Sequence, residues 1–109
     1  MKQYEIWLAR LAPPIGSRPV LLLTRDVAYR YLTRVTVVEI TTKPRYIPQE
    51  VSLSRRDGLV RASVARFDNI ASVPKTWLVR RLGRLAPGRE HEVKRAVGYA
   101  FDWEELVRL

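Results

Sequence analysis

Two short β-type runs in this chain each carry, at one end, a residue that can hold a phosphate. Gly16-Ser17-Arg18-Pro19 leads into the apolar stretch Val20 to Leu23, and Val37-Val38-Glu39-Ile40 leads into Thr41-Thr42. Proline lacks an amide donor and biases the residue before it toward extended backbone, so Arg18 is expected at the lip of a strand rather than inside one. A guanidinium held there is a fixed fork of N–H donors matched to phosphate oxygens, and a hydroxyl closing a neighbouring strand can join it. Each residue also has a plainer reading. Arg18 can be a surface arginine paired with Asp26 or Glu50, Thr41 a strand-end threonine capping a loop, and Asp68-Asn69 a turn.

The rest of the chain favours a polyanionic or acidic partner. Of 109 residues, 20 are Lys or Arg and 11 are Asp or Glu, a net charge of +9. The cations are nearly all arginine, which suits bidentate phosphate contacts. Arg45, Tyr46, Arg55, Arg56 and Arg61 fall in basic loops with an aromatic interleaved, a combination that can follow a phosphate backbone and stack a base. The same loops also read as solvated, or as a docking face for an acidic peptide. There is no cysteine, which excludes disulfides, thiolate zinc sites and thiol nucleophiles. A single histidine, His91, leaves no imidazole pair for acid–base work and too few imidazoles for a metal cage; it is expected to be solvated. No apolar run approaches a membrane span, and Glu5 and Arg10 interrupt any signal-peptide core, so a cytoplasmic protein with no membrane role is expected.

The elements that must position these residues are mostly strands. Alternation over Tyr4, Ile6 and Leu8 predicts a half-buried first strand, followed by a loop at Ala12 to Gly16 and a more buried strand over Val20 to Thr24. Asp26 to Leu32 reads as one helical turn or an irregular excursion. Further strands are expected over Arg34 to Ile40, Gln49 to Leu53, Ser63 to Phe67 (ending at Asp68-Asn69) and Leu78 to Leu85. Arg55 to Gly58 reads as a turn with a positive φ at Gly58, and Val73 to Lys75 as the start of a short helix. Pro87 opens the one convincing helix, with Val93, Ala96, Val97, Ala100 and Phe101 on its apolar face. Trp7, Trp77 and Trp103 are expected as core or dimer anchors. No linker or repeat interrupts residues 1–109, so one domain is expected. Five to seven short strands and a terminal helix suggest a small twisted antiparallel sheet or partly open barrel.

Several landmarks occur together in one order. They are Glu5 to Leu8 with Leu11, Gly16 to Leu21, Leu23 to Asp26, Ile40 to Thr42, and Glu50-Val51 with Leu53. Asp57 to Leu59, Phe67 to Ile70, Val73 to Lys75, Arg84-Leu85 and the helix from Pro87 complete the set. From Tyr4 to Glu104 this pattern resembles the MazF/PemK family of toxin endoribonucleases. No one of these motifs is specific; their order and spacing carry the likeness.

The resemblance implies a mainly β fold with a C-terminal helix, a small SH3-like barrel of the PemK/CcdB type, paired as a homodimer. It implies cleavage of single-stranded RNA with no metal or cofactor, leaving a 2′,3′-cyclic phosphate and a 5′-hydroxyl. It also implies neutralisation by an acidic antitoxin whose tail lies across the RNA groove. Residue by residue, the family's Arg-Pro arginine matches Arg18, its catalytic threonine matches Thr41, and the acidic residue of its Asp-Asn/Gln segment matches Asp68. Arg66 matches an arginine that only part of the family uses. RNA contacts are then expected from Arg45, Tyr46, Arg55, Arg56 and Arg66. The chain departs from the pattern before Arg18, where the loop is short and lacks both the Gly- and Glu-rich insert and the histidine of some members. Two rivals share the features above: a same-fold toxin that binds DNA gyrase and cuts nothing, and a catalytically inactive barrel that binds RNA or antitoxin.

Overall fold

A computed structural model describes residues 1–109, and it is built on one six-stranded antiparallel sheet. The strands are β1 (Glu5–Arg10), β2 (Ser17–Leu22), β3 (Arg34–Thr41), β4 (Glu50–Leu53), β5 (Ser63–Pro74) and β6 (Leu78–Arg84), in the spatial order β4-β5-β3-β2-β1-β6. Helix α1 (Glu90–Phe101) and the single turn α2 (Glu104–Val107) follow. No helix is long and apolar enough to cross a membrane.

The strand alternation sorts apolar side chains onto two faces. Ile6, Leu21, Val38, Ile40, Val51, Ala65 and Phe67 form one core, closed by Val93 and Ala96 of α1. Intervening residues of β1, β2, β3 and β5, among them Ala9, Val20, Leu22, Val35, Val37 and Val73, form a second core on the opposite face. Trp7 and Trp77 pack against this second core, as does Tyr29 of the 3-10 turn Asp26–Arg30. Trp103 does not anchor a core. It is half-exposed and stacks on Phe101, which α1 also leaves exposed although the helical spacing assigned it to the buried face.

The sheet rolls until its two edges nearly meet. Residues Arg55–Asp57 form a 3-10 turn ending at Gly58 with φ 96°, where a side chain would be strained. Gly58 packs against Gly83 of β6 so closely that a Cβ built on Gly83 would lie 2.2 Å from the carbonyl oxygen of Asp57. The barrel is thus closed by a turn against β6 rather than by strand pairing. Buried Asp57 fastens that turn: its carboxylate accepts from the Ser54 and Ala86 amides at 2.9 and 2.8 Å and pairs with Arg89 at 3.3 Å. Arg89 in turn donates to the Ser52 carbonyl and to both oxygens of Glu92.

Expected boundaries move by more than a residue in three elements. β2 covers Ser17–Leu22 and not Val20 to Thr24. β5 does not stop at Asp68-Asn69 but runs on to Pro74, taking in the residues read as the start of a helix; that turn follows as a 3-10 segment, Lys75–Trp77. α1 begins at Glu90, after a turn through Pro87 and Gly88, where Gly88 has φ 88°.

Candidate active site

Arg18 lies inside β2, as its second residue, opposite Ala9 of β1, and not at the strand's lip. The pairing of β2 with β3 begins only at Val20↔Glu39. The reason is Pro19. The backbone groups of β2 alternate sides: the Leu22 carbonyl accepts from Tyr4 on one side, and the Leu23 amide donates to Thr36 on the other. Counting back by twos, the amide of residue 19 would point at Ile40 of β3, and proline has none. The ladder therefore stops. By the same register Arg18 and Thr41 stand across from each other over an unpaired slot.

Glu39 shares the face of Thr41, two residues back along β3. Its carboxylate takes a hydrogen bond from Arg18 Nη1 at 3.1 Å. The ion pair anticipated for Arg18 thus exists, but with Glu39 and not with Asp26 or Glu50. Thr41 Oγ1 accepts from the Lys43 amide at 3.2 Å, so the strand-end capping role is filled, while its own hydroxyl hydrogen stays free to donate.

On the other side of β3 the pairing with β5 is interrupted. Between Val38↔Ile70 and Ile40↔Ala65, a two-residue step on β3 faces a five-residue step on β5. This bulge, which holds Arg66 and Asp68, sits opposite Glu39. Arg66 turns inward: its Nε donates to Glu50 Oε2 at 2.9 Å and its Nη2 to the Lys43 carbonyl at 2.7 Å, leaving the residue 9% exposed. Asp68 points to solvent and makes no side-chain hydrogen bond or ion pair. No contact joins Asp68 to Arg18 or Thr41.

Glu50 organises the loop after β3. Besides Arg66, its carboxylate accepts from the amides of Arg45 and Tyr46 at 3.0 to 3.1 Å. Burial pushes its pKa up, but Arg66 and the two amides outweigh that and hold it below the usual carboxylate range. Across β4, β5, β3 and β2 the charges thus alternate: Glu50, Arg66, Glu39, Arg18. Arg45 and Tyr46 are exposed on this loop, and Arg55 and Arg56 are exposed on the turn beside it. The bulge gathers Arg66 and Asp68 near β3, whereas Arg55 and Arg56 reach only the far side of β4.

Sequence reasoning missed Glu39. It stands two residues before Thr41, and on a strand that interval alone signals a shared face. Chemically, the slot combines a guanidinium, a threonine hydroxyl and a carboxylate at a gap in the backbone ladder. That set can bind a phosphodiester and stabilise charge building on it.

A profile described as PemK-like, MazF-like toxin of type II toxin-antitoxin system matches residues 2–101. The chain is 41% identical over 91 residues to Endoribonuclease MazF3 of Mycobacterium tuberculosis, covering 84% of this chain and 88% of that protein. It is 39% identical over 99 residues to Probable endoribonuclease MazF5 of the same organism, covering 90% of each. The solved structure of Mycobacterium tuberculosis toxin MazF-mt6 superposes with a TM-score of 0.84 at 40% identity, over 90% of this chain and 96% of that one.

Proposed function

The chain belongs to the PemK-like, MazF-like toxin family of type II toxin–antitoxin systems, and from that premise we propose that it is a sequence-selective endoribonuclease that cuts single-stranded messenger RNA at Arg18 and Thr41. What carries this reading is the β2–β3 register, which continued two residues past Val20↔Glu39 sets Arg18 across from Thr41, in a chain 41% identical to an endoribonuclease.

The reaction needs no group beyond the RNA and the protein. The 2′-oxygen attacks the adjacent phosphorus, its proton passes to a base, the bond to the 5′-oxygen breaks, and that oxygen takes up a proton from solvent water. The products are a 2′,3′-cyclic phosphate and a 5′-hydroxyl. Arg18 faces the negative charge that builds on the phosphorane oxygens, the largest single demand of such a step. A guanidinium in general keeps its proton at neutral pH and is a poor general acid. Thr41 donates its free hydroxyl hydrogen to the same phosphate. Asp68, solvent-facing and unpartnered, is our candidate base for the 2′-hydroxyl. Glu39 holds the guanidinium of Arg18 toward the slot until phosphate replaces it.

The net charge of +9 and the exposed Arg45, Tyr46, Arg55 and Arg56 fit a single strand laid past the slot, and the same surface fits an acidic antitoxin tail. We place the protein in the cytoplasm, where messenger RNA is translated, as a homodimer. The test is incubation of a long mixed-sequence single-stranded RNA with purified protein in excess EDTA, beside Arg18→Ala. Discrete fragments with 5′-hydroxyl ends, absent in the variant, are expected. Intact RNA would sink the proposal, and cleavage that EDTA abolishes would remove the metal-free mechanism.

A further inference from the structure

A bulge in β6 puts two arginines on one face. Between Glu5↔Arg84 and Trp7↔Arg81, a two-residue step on β1 faces a three-residue step on β6. Side chains three apart on a regular strand point to opposite faces. The extra residue, Leu82, turns Arg81 and Arg84 to the same side. There they line a depression of about 500 Å³ together with Lys2, Tyr4, Glu5 and Asp26, within the size range of small-ligand sites. It lies at the end of β1 away from the slot: Arg18 stands opposite Ala9, four residues or about 13 Å along the strand from Glu5.

We propose that this depression is a binding site for a sugar phosphate, in which Arg81, Arg84 and Lys2 hold the phosphate and a sugar hydroxyl donates to Asp26. It is separate from the Arg18–Thr41 slot and does not depend on the ribonuclease reading.

The state of the guanidiniums is the first argument. Arg81 Nε donates to Glu5 Oε2 at 2.9 Å, and Arg84 Nε donates to the Leu85 carbonyl at 3.1 Å. Neither arginine spends an Nη atom within the chain. Each is pinned at its base and presents a free outer fork, which suits the oxygens of a phosphate. Lys2 adds an ammonium without a partner.

The acids are the second. Glu5 is fully engaged: Oε1 accepts from the Lys2 amide at 2.9 Å and from Trp7 Nε1 at 3.1 Å, and Oε2 accepts from Arg81. Asp26 is half engaged, with Oδ1 accepting from the Gln3 amide at 2.7 Å and Oδ2 free. Three cations facing two carboxylates favour an anion. The free carboxylate oxygen beside them favours an anion that also carries a hydroxyl donor, as a sugar phosphate does.

The third is the rigidity of the wall. Tyr4 has φ 71°, an uncommon backbone state for a bulky residue. Its amide donates to the Leu22 carbonyl and its carbonyl accepts from the Leu85 amide, each at 2.8 Å. Backbone held in such a state beside a charged depression keeps the site's shape fixed before a ligand arrives.

Uridine 5′-monophosphate, uridine and inorganic phosphate are titrated separately into the protein by calorimetry at low ionic strength. The monophosphate is expected to bind more tightly than inorganic phosphate, and uridine is expected not to bind. Arg81→Ala and Arg84→Ala should each weaken the monophosphate roughly tenfold or more. Asp26→Asn should erase its advantage over inorganic phosphate, and Arg18→Ala should leave its affinity unchanged. No binding to wild type would overturn the proposal, as would equal affinity for the monophosphate and inorganic phosphate. Binding lost in Arg18→Ala and kept in Arg84→Ala would place the ligand in the slot and overturn it too. A short single-stranded RNA titrated into Arg18→Ala, with and without Arg84→Ala, identifies the source of the phosphate. Weaker binding by the double variant assigns the site to a nucleotide within a strand, and equal binding assigns it to a free one.

Discussion

Arg18 and Glu39 form a 3.1 Å ion pair across β2 and β3, with the arginine two residues before the point where those strands begin to pair. In the proposed reaction a substrate phosphate competes with Glu39 for the same guanidinium. That competition sets opposite expectations for the two halves of the pair.

Arg18→Ala is expected to lower kcat by roughly 10²–10³, the usual loss when a group facing developing charge is removed. Glu39→Gln is expected to lower KM, since the phosphate no longer displaces a carboxylate, and to lower kcat as the guanidinium loses its fixed direction. Steady-state cleavage of a fluorogenic oligonucleotide separates the two effects. A Glu39→Gln enzyme with both constants unchanged would mean that the pair plays no part in catalysis.

Asp68→Asn tests the base. With Asp68 as the proton acceptor, kcat falls by roughly 10²–10⁴ while RNA binding is kept. Stability should stay within about 0.5 kcal/mol of wild type, because the side chain is exposed and unpartnered. A kcat within a few-fold of wild type would assign proton removal to another group.

The Glu50–Arg66 pair predicts a pH-dependent loss of stability. Glu50 has a folded pKa below its unfolded value, so its contribution is complete above the unfolded pKa of about 4.3 and is lost as pH falls through the lower, folded value. Glu50→Gln should destabilise the protein near neutrality by up to about 3–5 kcal/mol, since it strands a buried guanidinium. It should also flatten the fall of Tm between about pH 5 and pH 3. Thermal melts at half-unit pH steps decide this; parallel curves for the two proteins would refute it.

Gly83→Ala tests how the barrel closes. Its new methyl would meet the carbonyl of Asp57 at 2.2 Å, and backbone cannot yield as a flexible side chain can. A loss of about 3 kcal/mol or more is expected in urea denaturation. A loss below about 1 kcal/mol would show that the turn can leave β6 without consequence.

Most strands were legible because β-branched runs such as Arg34 to Thr41 alternate faces over their whole length. The extent of β5 was not. Asp68-Asn69 has the composition of a turn, and tertiary pairing with β3 carries the strand through it as a bulge. Arg18 and Thr41 were visible as types suited to phosphate, yet their opposition follows from register, which no local pattern encodes. The partner of Arg18 was likewise hidden: Asp26 is nearer in sequence than Glu39, and only the pairing of β2 with β3 selects Glu39. Phe101 fits the helical spacing of the core face, but as the last residue of α1 it stays exposed and stacks on Trp103.

Pro19 has a consequence for timing. The gap between β2 and β3 is kept by a covalent ring, so the break in the ladder does not wait for substrate, although the Arg18 guanidinium still has to pass from Glu39 to the phosphate. Whatever covers that surface blocks it by occupancy alone. Once the cover leaves, the protein needs no refolding or rearrangement of its strands to be active. Under the proposed reading, latency lasts only as long as the complex that masks the slot.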